Sequence, residues 1–164
     1  MTMHKVHGGD MRNLLKALLI FCFMGASAAC ARPFTMDLQG GVVNHVSELS
    51  KFNLNVFGHW WYPIDQMFFV GVGSGYQEID NESLVPVSAS FWMRVPVGIH
   101  VMPVMLADWG YLIGKHHQLF WRTAGGVDIK SGDHSSIMVT GGYQFLDNFG
   151  KGYVFLQAGV LVEI

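Results

Sequence analysis

Charged side chains are scarce in this sequence. Asp, Glu, Lys and Arg make up 13% of the 164 residues, whereas roughly 25% is usual for soluble domains. The formal net charge of −2 provides no long-range basic field, and such a field is what binding to DNA or RNA requires. With 51% hydrophobic residues the chain is also not disordered. We therefore expect no nucleic-acid partner.

Cysteines and long apolar runs are also missing from most of the chain. The two cysteines, Cys22 and Cys30, both lie near the N-terminus, so a chain that loses this region has no disulfide. Beyond the N-terminal region no apolar run approaches the ~20 residues that a membrane-spanning helix needs. The sequence is thus rich in apolar residues yet has no spanning helix in its body.

Residues 1–31 have the pattern of a cleaved secretory signal peptide. Arg12 and Lys16 supply the positive charge, residues 14–24 form a short apolar core, and residues 25–31 are small. Met11 is an alternative start, because the ten residues before it have no role in such a signal. Lipidation of Cys30 stays open as a second interpretation. Residues 32–164 then form the mature domain.

The mature chain alternates between apolar and polar residues with a period of two, which indicates β-strands. Eight such segments follow one another, separated by turn signals. The clearest runs from Lys51 to Tyr62. Every second connection between the segments is expected to be longer and more polar than the tight turns that alternate with it. These longer connections lie near 44–50, 78–83, 112–117 and 147–152. Eight antiparallel strands close most simply into an up-and-down barrel, so the fold class is all-β.

The composition of the polar face decides which face is inside. A lipocalin-like barrel would turn its polar face to water, and that face would be rich in Lys and Glu. Here it is rich in Gly, Ser, Thr, Asn and Gln, with a few charges of both signs, which favours a transmembrane barrel with a plugged polar lumen. We predict that the lumen network consists of Asp37, His59, Arg94, His100, Asp108, Arg122, Asp128 and Glu163.

Aromatic residues cluster near the ends of the predicted strands. On the apolar face, aromatic girdles at both membrane interfaces are typical of outer-membrane barrels. An up-and-down threading separates the girdle residues into two sets. One set is Trp60 and Tyr62, and the other is Trp109, Tyr111, Tyr143 and Phe145.

The mature chain resembles the small eight-stranded outer-membrane β-barrel proteins of the OmpA/OmpX-like and opacity-type group. The resemblance covers about residues 34–164 and rests on the export signal, on a last strand that ends the chain, and on two strands. These are Val70-Gly71-Val72-Gly73-Ser74-Gly75-Tyr76 and Val85-Pro86-Val87-Ser88-Ala89-Ser90-Phe91. It implies a monomer in the bacterial outer membrane, with the assembly machinery and outer-membrane lipid, including lipopolysaccharide, as partners.

The residues that could carry chemistry form no convincing site. His134-Ser135-Ser136 has the His-x-Ser spacing of a lipid A hydrolase, but it falls in a predicted periplasmic turn with no carboxylate placed to orient the histidine. Adjacent residues on an extended chain point in opposite directions, so His116 and His117 are a poor metal chelate. We expect no metal, no cofactor and no catalytic residues.

The function expected from the sequence is therefore a structural or surface-interaction role in the outer membrane. Eight strands leave an interior that side chains can fill, so an open pore is not expected. Two alternatives remain. One is a lipid A-modifying outer-membrane enzyme, an acyl hydrolase or acyltransferase, and the other is a secreted lipocalin-like binder of apolar ligands.

Overall fold

The computed structural model describes residues 34–47, 53–79, 82–98, 100–115, 117–147 and 151–164. The predicted signal peptide over residues 1–31, the alternative start at Met11 and Cys30 all lie outside these ranges. Within them, no helix is long and apolar enough to cross a membrane.

Eight β-strands account for nearly all of the described chain. Their bounds are β1 Thr35–His45, β2 Asn53–Pro63, β3 Phe68–Ile79, β4 Glu82–Arg94, β5 Val101–Ile113, β6 Gln118–Lys130, β7 Ser135–Leu146 and β8 Lys151–Glu163. The strands contain 11 to 13 residues, slightly more than the ~9–11 that a tilted strand needs to cross a bilayer.

Each strand pairs antiparallel with its neighbours in sequence, and β1 also pairs with β8. Thr35 lies opposite Glu163 in this closing pair. Phe34 and Ile164 extend the pair with two backbone hydrogen bonds of 3.0 and 2.7 Å. Closure leaves no unpaired strand edge in the described part of the chain. The predicted eight-stranded antiparallel up-and-down barrel is confirmed.

The two faces of the wall have opposite character. Along every strand, side chains alternate between an apolar outer face and a buried inner face. The first residues of strand β2 show this clearly, since Leu54 is exposed while Asn53 and Asn55 are buried. Large apolar side chains such as Trp109, at 69% exposure, cover the outside. A lipocalin-like barrel needs the reverse arrangement, with its apolar face inside.

Inward-facing glycines allow the narrow wall to curve. A Cβ atom on Gly159 would lie 2.0 Å from the carbonyl oxygen of Leu38, and one on Gly142 would lie 2.0 Å from that of Thr123. No real side chain tolerates such an approach, so only glycine lets the neighbouring backbones come this close. The glycine-rich polar face of the sequence thus reflects strand curvature as well as a crowded lumen.

The strand ends correct one expectation from the sequence, the length of the connection between β3 and β4. Strand β4 begins at Glu82, so only residues 80 and 81 separate it from β3, and the longer connection expected near 78–83 is wrong. Glu78 pairs with Ser83 and Ile79 pairs with Glu82. The ladder continues through these polar residues because backbone pairing does not depend on the side chains beyond the apolar zone.

The lumen changes character along its length. We call the end that holds Thr35 and Glu163 the termini end, and the opposite end the far end. Buried side chains near the far end are apolar residues together with Asn and Gln, the middle is polar and charged, and the termini end opens into a cavity. The apolar residues near the far end are Val43, Ile79, Leu84, Leu112, Phe120, Leu146 and Tyr153.

Candidate functional site

Four ionisable side chains meet in the middle of the lumen, and we call them the central network: Asp37, His59, Asp108 and Arg122. His59 lies between the two carboxylates, with Nδ1 2.9 Å from Asp37 Oδ1 and Nε2 3.2 Å from Asp108 Oδ1. Arg122 Nε donates a hydrogen bond to Asp108 Oδ2. All four side chains have no solvent exposure in these pairs, so each charge is compensated by a neighbour.

Neutral side chains complete the surroundings of Asp37. Trp61 Nε1 donates to Asp37 Oδ2 at 2.5 Å, and Gln39 Nε2 donates to Oδ1 at 3.1 Å. Gln39 is held in turn by Thr140, whose hydroxyl donates to its amide oxygen at 2.8 Å. Asp37 therefore has partners for both oxygens, as a buried carboxylate requires.

The other half of the central network is held in the same way. Ser90 Oγ donates to Asp108 Oδ1, and an Arg122 terminal nitrogen donates to Gln157 Oε1 at 3.3 Å. Strands β4, β5, β6 and β8 thus contribute to one hydrogen-bonded group. Ser90 and Asp108 are direct partners in the β4–β5 ladder. The Arg122–Gln157 bond, by contrast, joins β6 and β8, which share no backbone pairing.

Aromatic rings enclose the charged groups. The His59 ring stacks between Phe57 and Trp61, with centroid distances of 5.0 and 4.8 Å. The Arg122 guanidinium carbon lies 3.7 Å from the centroid of the Phe57 ring, a cation–π contact. With a ring on each side, the His59 side chain has no solvent exposure.

A second charged group, the mouth cluster, lies nearer the termini end and comprises Arg94, Asp128 and Glu163. Arg94 donates to Asp128 Oδ2 at 3.4 Å and to Glu163 Oε1 at 3.1 Å. Its guanidinium also lies 5.1 Å from the Trp92 ring centroid. The Arg94 side chain keeps 16% exposure, so this cluster borders solvent whereas the central network does not.

His100 belongs to neither group, and its assignment to the lumen is corrected. It is exposed in the connection before β5, which begins only at Val101. The backbone explains this position, because the His100 carbonyl accepts a hydrogen bond from the Lys130 amide at the end of β6. Alternation alone cannot show where a strand starts. The other seven predicted lumen residues all occupy the inner face.

The sequence reasoning missed several partners of these charges. Trp61, Gln39, Ser90 and Gln157 all contact the two central carboxylates or Arg122. Their positions in the inward–outward alternation of each strand are the signal that could have placed them inside. Trp61, for example, lies two residues after His59 and shares its face.

The six predicted girdle residues all lie on the outer face, in two groups at opposite ends of the barrel. Trp60 and Tyr62 lie toward the termini end, where Phe34 packs against both rings at 6.2 and 5.9 Å. The remaining four lie toward the far end. There Trp121 joins them and packs 5.9 Å from Phe145. The far-end residues that the sequence predicted are Trp109, Tyr111, Tyr143 and Phe145.

The residues singled out for chemistry are spread apart. Ser136 is buried on the inner face near the termini end, while His134 is exposed in the preceding turn. The pair therefore forms no site on the outer wall, where a lipid substrate would lie. His116 lies outside the described residues. Among those that are described, no three His, Cys, Asp or Glu side chains are grouped to hold a metal ion.

Comparisons with known proteins find similarity in structure only. No protein-family model matches the chain, and no curated protein matches it. Neisserial surface protein A is similar with 13% identity and a TM-score of 0.65, over 80% of this chain and 96% of that one. The N-terminal β-barrel domain of Pseudomonas aeruginosa OprF is similar with 10% identity and a TM-score of 0.61, over 79% of this chain and 97% of that one. The outer membrane enzyme PagL is similar with 13% identity and a TM-score of 0.52, over 79% of this chain and 99% of that one.

These similarities define the class of fold. The chain has the fold of the small eight-stranded transmembrane β-barrels, with a polar and charged interior and an apolar exterior. Proteins of this fold include a surface protein and an enzyme, so the fold by itself does not decide the function.

Proposed function

We propose that the protein is a monomeric outer-membrane barrel with a structural or surface-interaction role and a lumen closed by its own side chains. The observation that carries the proposal is the opposite polarity of the two faces of the wall. Apolar side chains are exposed all around the outside, and the ionised groups are buried inside. In water this arrangement would expose a large apolar surface, whereas in a bilayer each face has a suitable environment.

The aromatic girdles support the same placement. Trp and Tyr favour the interfaces of a membrane, where an apolar ring and a polar atom are both accommodated. Two such groups, separated along the strands by aliphatic residues such as Leu38 and Val72, fit a bilayer between them. Outer-membrane lipid, including lipopolysaccharide, and the assembly machinery that inserts such barrels are the partners that we propose.

The packing of the interior supports a closed lumen. Trp61, Trp92 and Arg122 are among its largest fully buried side chains, and eight strands leave only enough room for side chains. The central network fills the middle, and apolar and amide side chains fill the far end. We expect a barrel packed in this way to have no continuous aqueous path, so we do not propose a porin role.

No observation favours a catalytic role over this one. The hydrolase-like spacing of His134 and Ser136 places the serine inside the barrel, and the likeness to PagL is one of fold. No contact among the described residues points to the second catalytic possibility, an acyltransferase. The proposed role is therefore non-enzymatic.

The proposal is tested on cells that produce the full chain. We expect the protein in the outer-membrane fraction, and after purification in detergent an unheated sample should migrate faster on SDS gels than a heated one. In planar bilayers it should give no steady open-channel current. A monomer that stays soluble without detergent would contradict the membrane placement, and a steady current would contradict the closed lumen.

A further inference from the structure

The mouth of the lumen at the termini end holds a cavity that the proposed function does not use. Its volume is about 330 Å³, within the size range of small-molecule sites. Apolar walls come from Met102, Pro96 and Leu161. The charged side chains around it are Arg94, Lys130, Asp133 and Glu163. It is separate from the central network, which lies deeper in the lumen.

A buried polar side chain at this cavity has no partner. Ser136 lines the cavity and is only 4% exposed, yet its Oγ makes no hydrogen bond within the described part of the chain. Asp128 Oδ1, behind Arg94, is likewise buried and unpaired there. Buried hydroxyl and carboxylate oxygens are normally hydrogen-bonded, and Ser136 is one of the residues that line the cavity. A polar ligand group would complete this site.

The charges around the cavity are only partly used within the protein. Arg94 is shared between Asp128 and Glu163. Glu163 bonds through one oxygen and its side chain keeps 36% exposure. Lys130 forms no ion pair with any described residue, and it lies opposite Ser136 in the β6–β7 ladder. The cavity thus offers both a free cation and a partly free carboxylate.

We propose that this cavity binds a small zwitterion of the amino-acid or short-peptide class. The ligand carboxylate pairs with Lys130, while its ammonium group donates to Glu163 and to the Ser136 hydroxyl. A ligand with only one charge would leave either Lys130 without a counterpart or the second oxygen of Glu163 without a donor. Recognition of both charges is what distinguishes a zwitterion from a simple cation or anion.

Three matched probes test the proposal on the full-length protein in detergent micelles, with binding measured by calorimetry. Glycylglycine carries both charges, glycylglycinamide only the positive one, and N-acetylglycylglycine only the negative one. We expect glycylglycine to bind about tenfold more tightly than either, a difference that corresponds to one lost charge contact. Equal affinities for the three probes, or no binding of glycylglycine at millimolar concentration, would overturn the proposal.

Two variants assign the contacts. Lys130→Gln should remove the advantage of glycylglycine over glycylglycinamide and keep its advantage over N-acetylglycylglycine. Ser136→Ala should weaken the binding of both probes that carry an ammonium group. Lys115→Gln, an exposed lysine near the far end, is the control and should change nothing. Gel mobility before heating verifies that each variant is folded. An unchanged probe preference in Lys130→Gln, or an equal loss in Lys115→Gln, would contradict the assignment.

Discussion

At the scale of single residues, the central network poses an energetic question, because it keeps four ionisable groups away from water. Moving a charge into the interior is costly unless a partner and hydrogen bonds replace the lost water. Each charged group here has both, and His59 contacts a carboxylate through each of its ring nitrogens. The network is therefore stable as a unit, while any member left alone becomes a buried, uncompensated group.

A double-mutant cycle on Arg122 and Asp108 tests this interdependence. Arg122→Met should lower the free energy of unfolding by about 3–5 kcal/mol, since removal of one partner leaves a buried charge. Adding Asp108→Asn to that variant should cost much less than it does alone. Urea unfolding of the refolded protein, followed by tryptophan fluorescence, measures all three variants.

The control for this cycle is Lys115→Met, an exposed site away from the network, which should shift the unfolding free energy by about 0.5 kcal/mol or less. If the losses of the two single variants simply add in the double variant, Arg122 and Asp108 are not coupled and the network does not act as a unit.

At the scale of the strands, the sequence allowed the number, order and facing of all eight to be predicted. A strict alternation survives because lipid on one side and a crowded lumen on the other demand different residues. The ends were harder to place. Strand β4 begins earlier than the expected connection near 78–83 implied, because polar residues such as Glu82 pair through their backbones without an apolar pattern. Strand β5 begins only after His100, although the alternation placed His100 inside the lumen.

Which lumen charges meet could not be read from the strands either. Asp37 and His59 are direct neighbours in the β1–β2 register, but His59 and Asp108 come from strands that share no ladder. Such contacts depend on how far the register staggers around the closed barrel. Inward-facing charges were therefore predictable as a group, and their pairing was not.

Gly73 of β3 shows how a strand makes room for the central network. A Cβ atom there would lie 2.7 Å from His59 Cδ2 and 2.9 Å from Phe57 Cε1. We expect Gly73→Ala to lower the free energy of unfolding by about 1–3 kcal/mol, since overpacking forces side chains to move. Urea unfolding provides the measurement.

The matched control is Gly40→Ala on β1, where a Cβ atom would have nothing within 4 Å. It should leave the stability the same or slightly higher, because alanine restricts the unfolded chain. Equal losses at both positions would show that the effect comes from glycine in strands generally rather than from space beside His59.

At the scale of the whole molecule, the barrel is polarised both across its wall and along its axis. Across the wall, apolar groups face outward and charges face inward. Along the axis, the far end is packed with apolar and amide side chains, the middle is charged, and the termini end is open to a cavity. The scarcity of charge in the sequence follows from this design, since lipid-facing positions exclude charge and the lumen admits only charges that find partners.

The facing of the wall is the central claim, and the five tryptophans allow it to be measured directly. Trp109 faces outward with 69% exposure, while Trp61 is fully buried inside. Two variants that each retain one of these, with the other four changed to Phe, are refolded into vesicles whose lipids carry bromine on acyl carbons near the headgroup. Bromine quenches the fluorescence of a tryptophan that touches lipid. If the apolar face contacts lipid, Trp109 is strongly quenched and Trp61 almost not at all. Strong quenching of Trp61, or none of Trp109, would contradict this orientation of the wall.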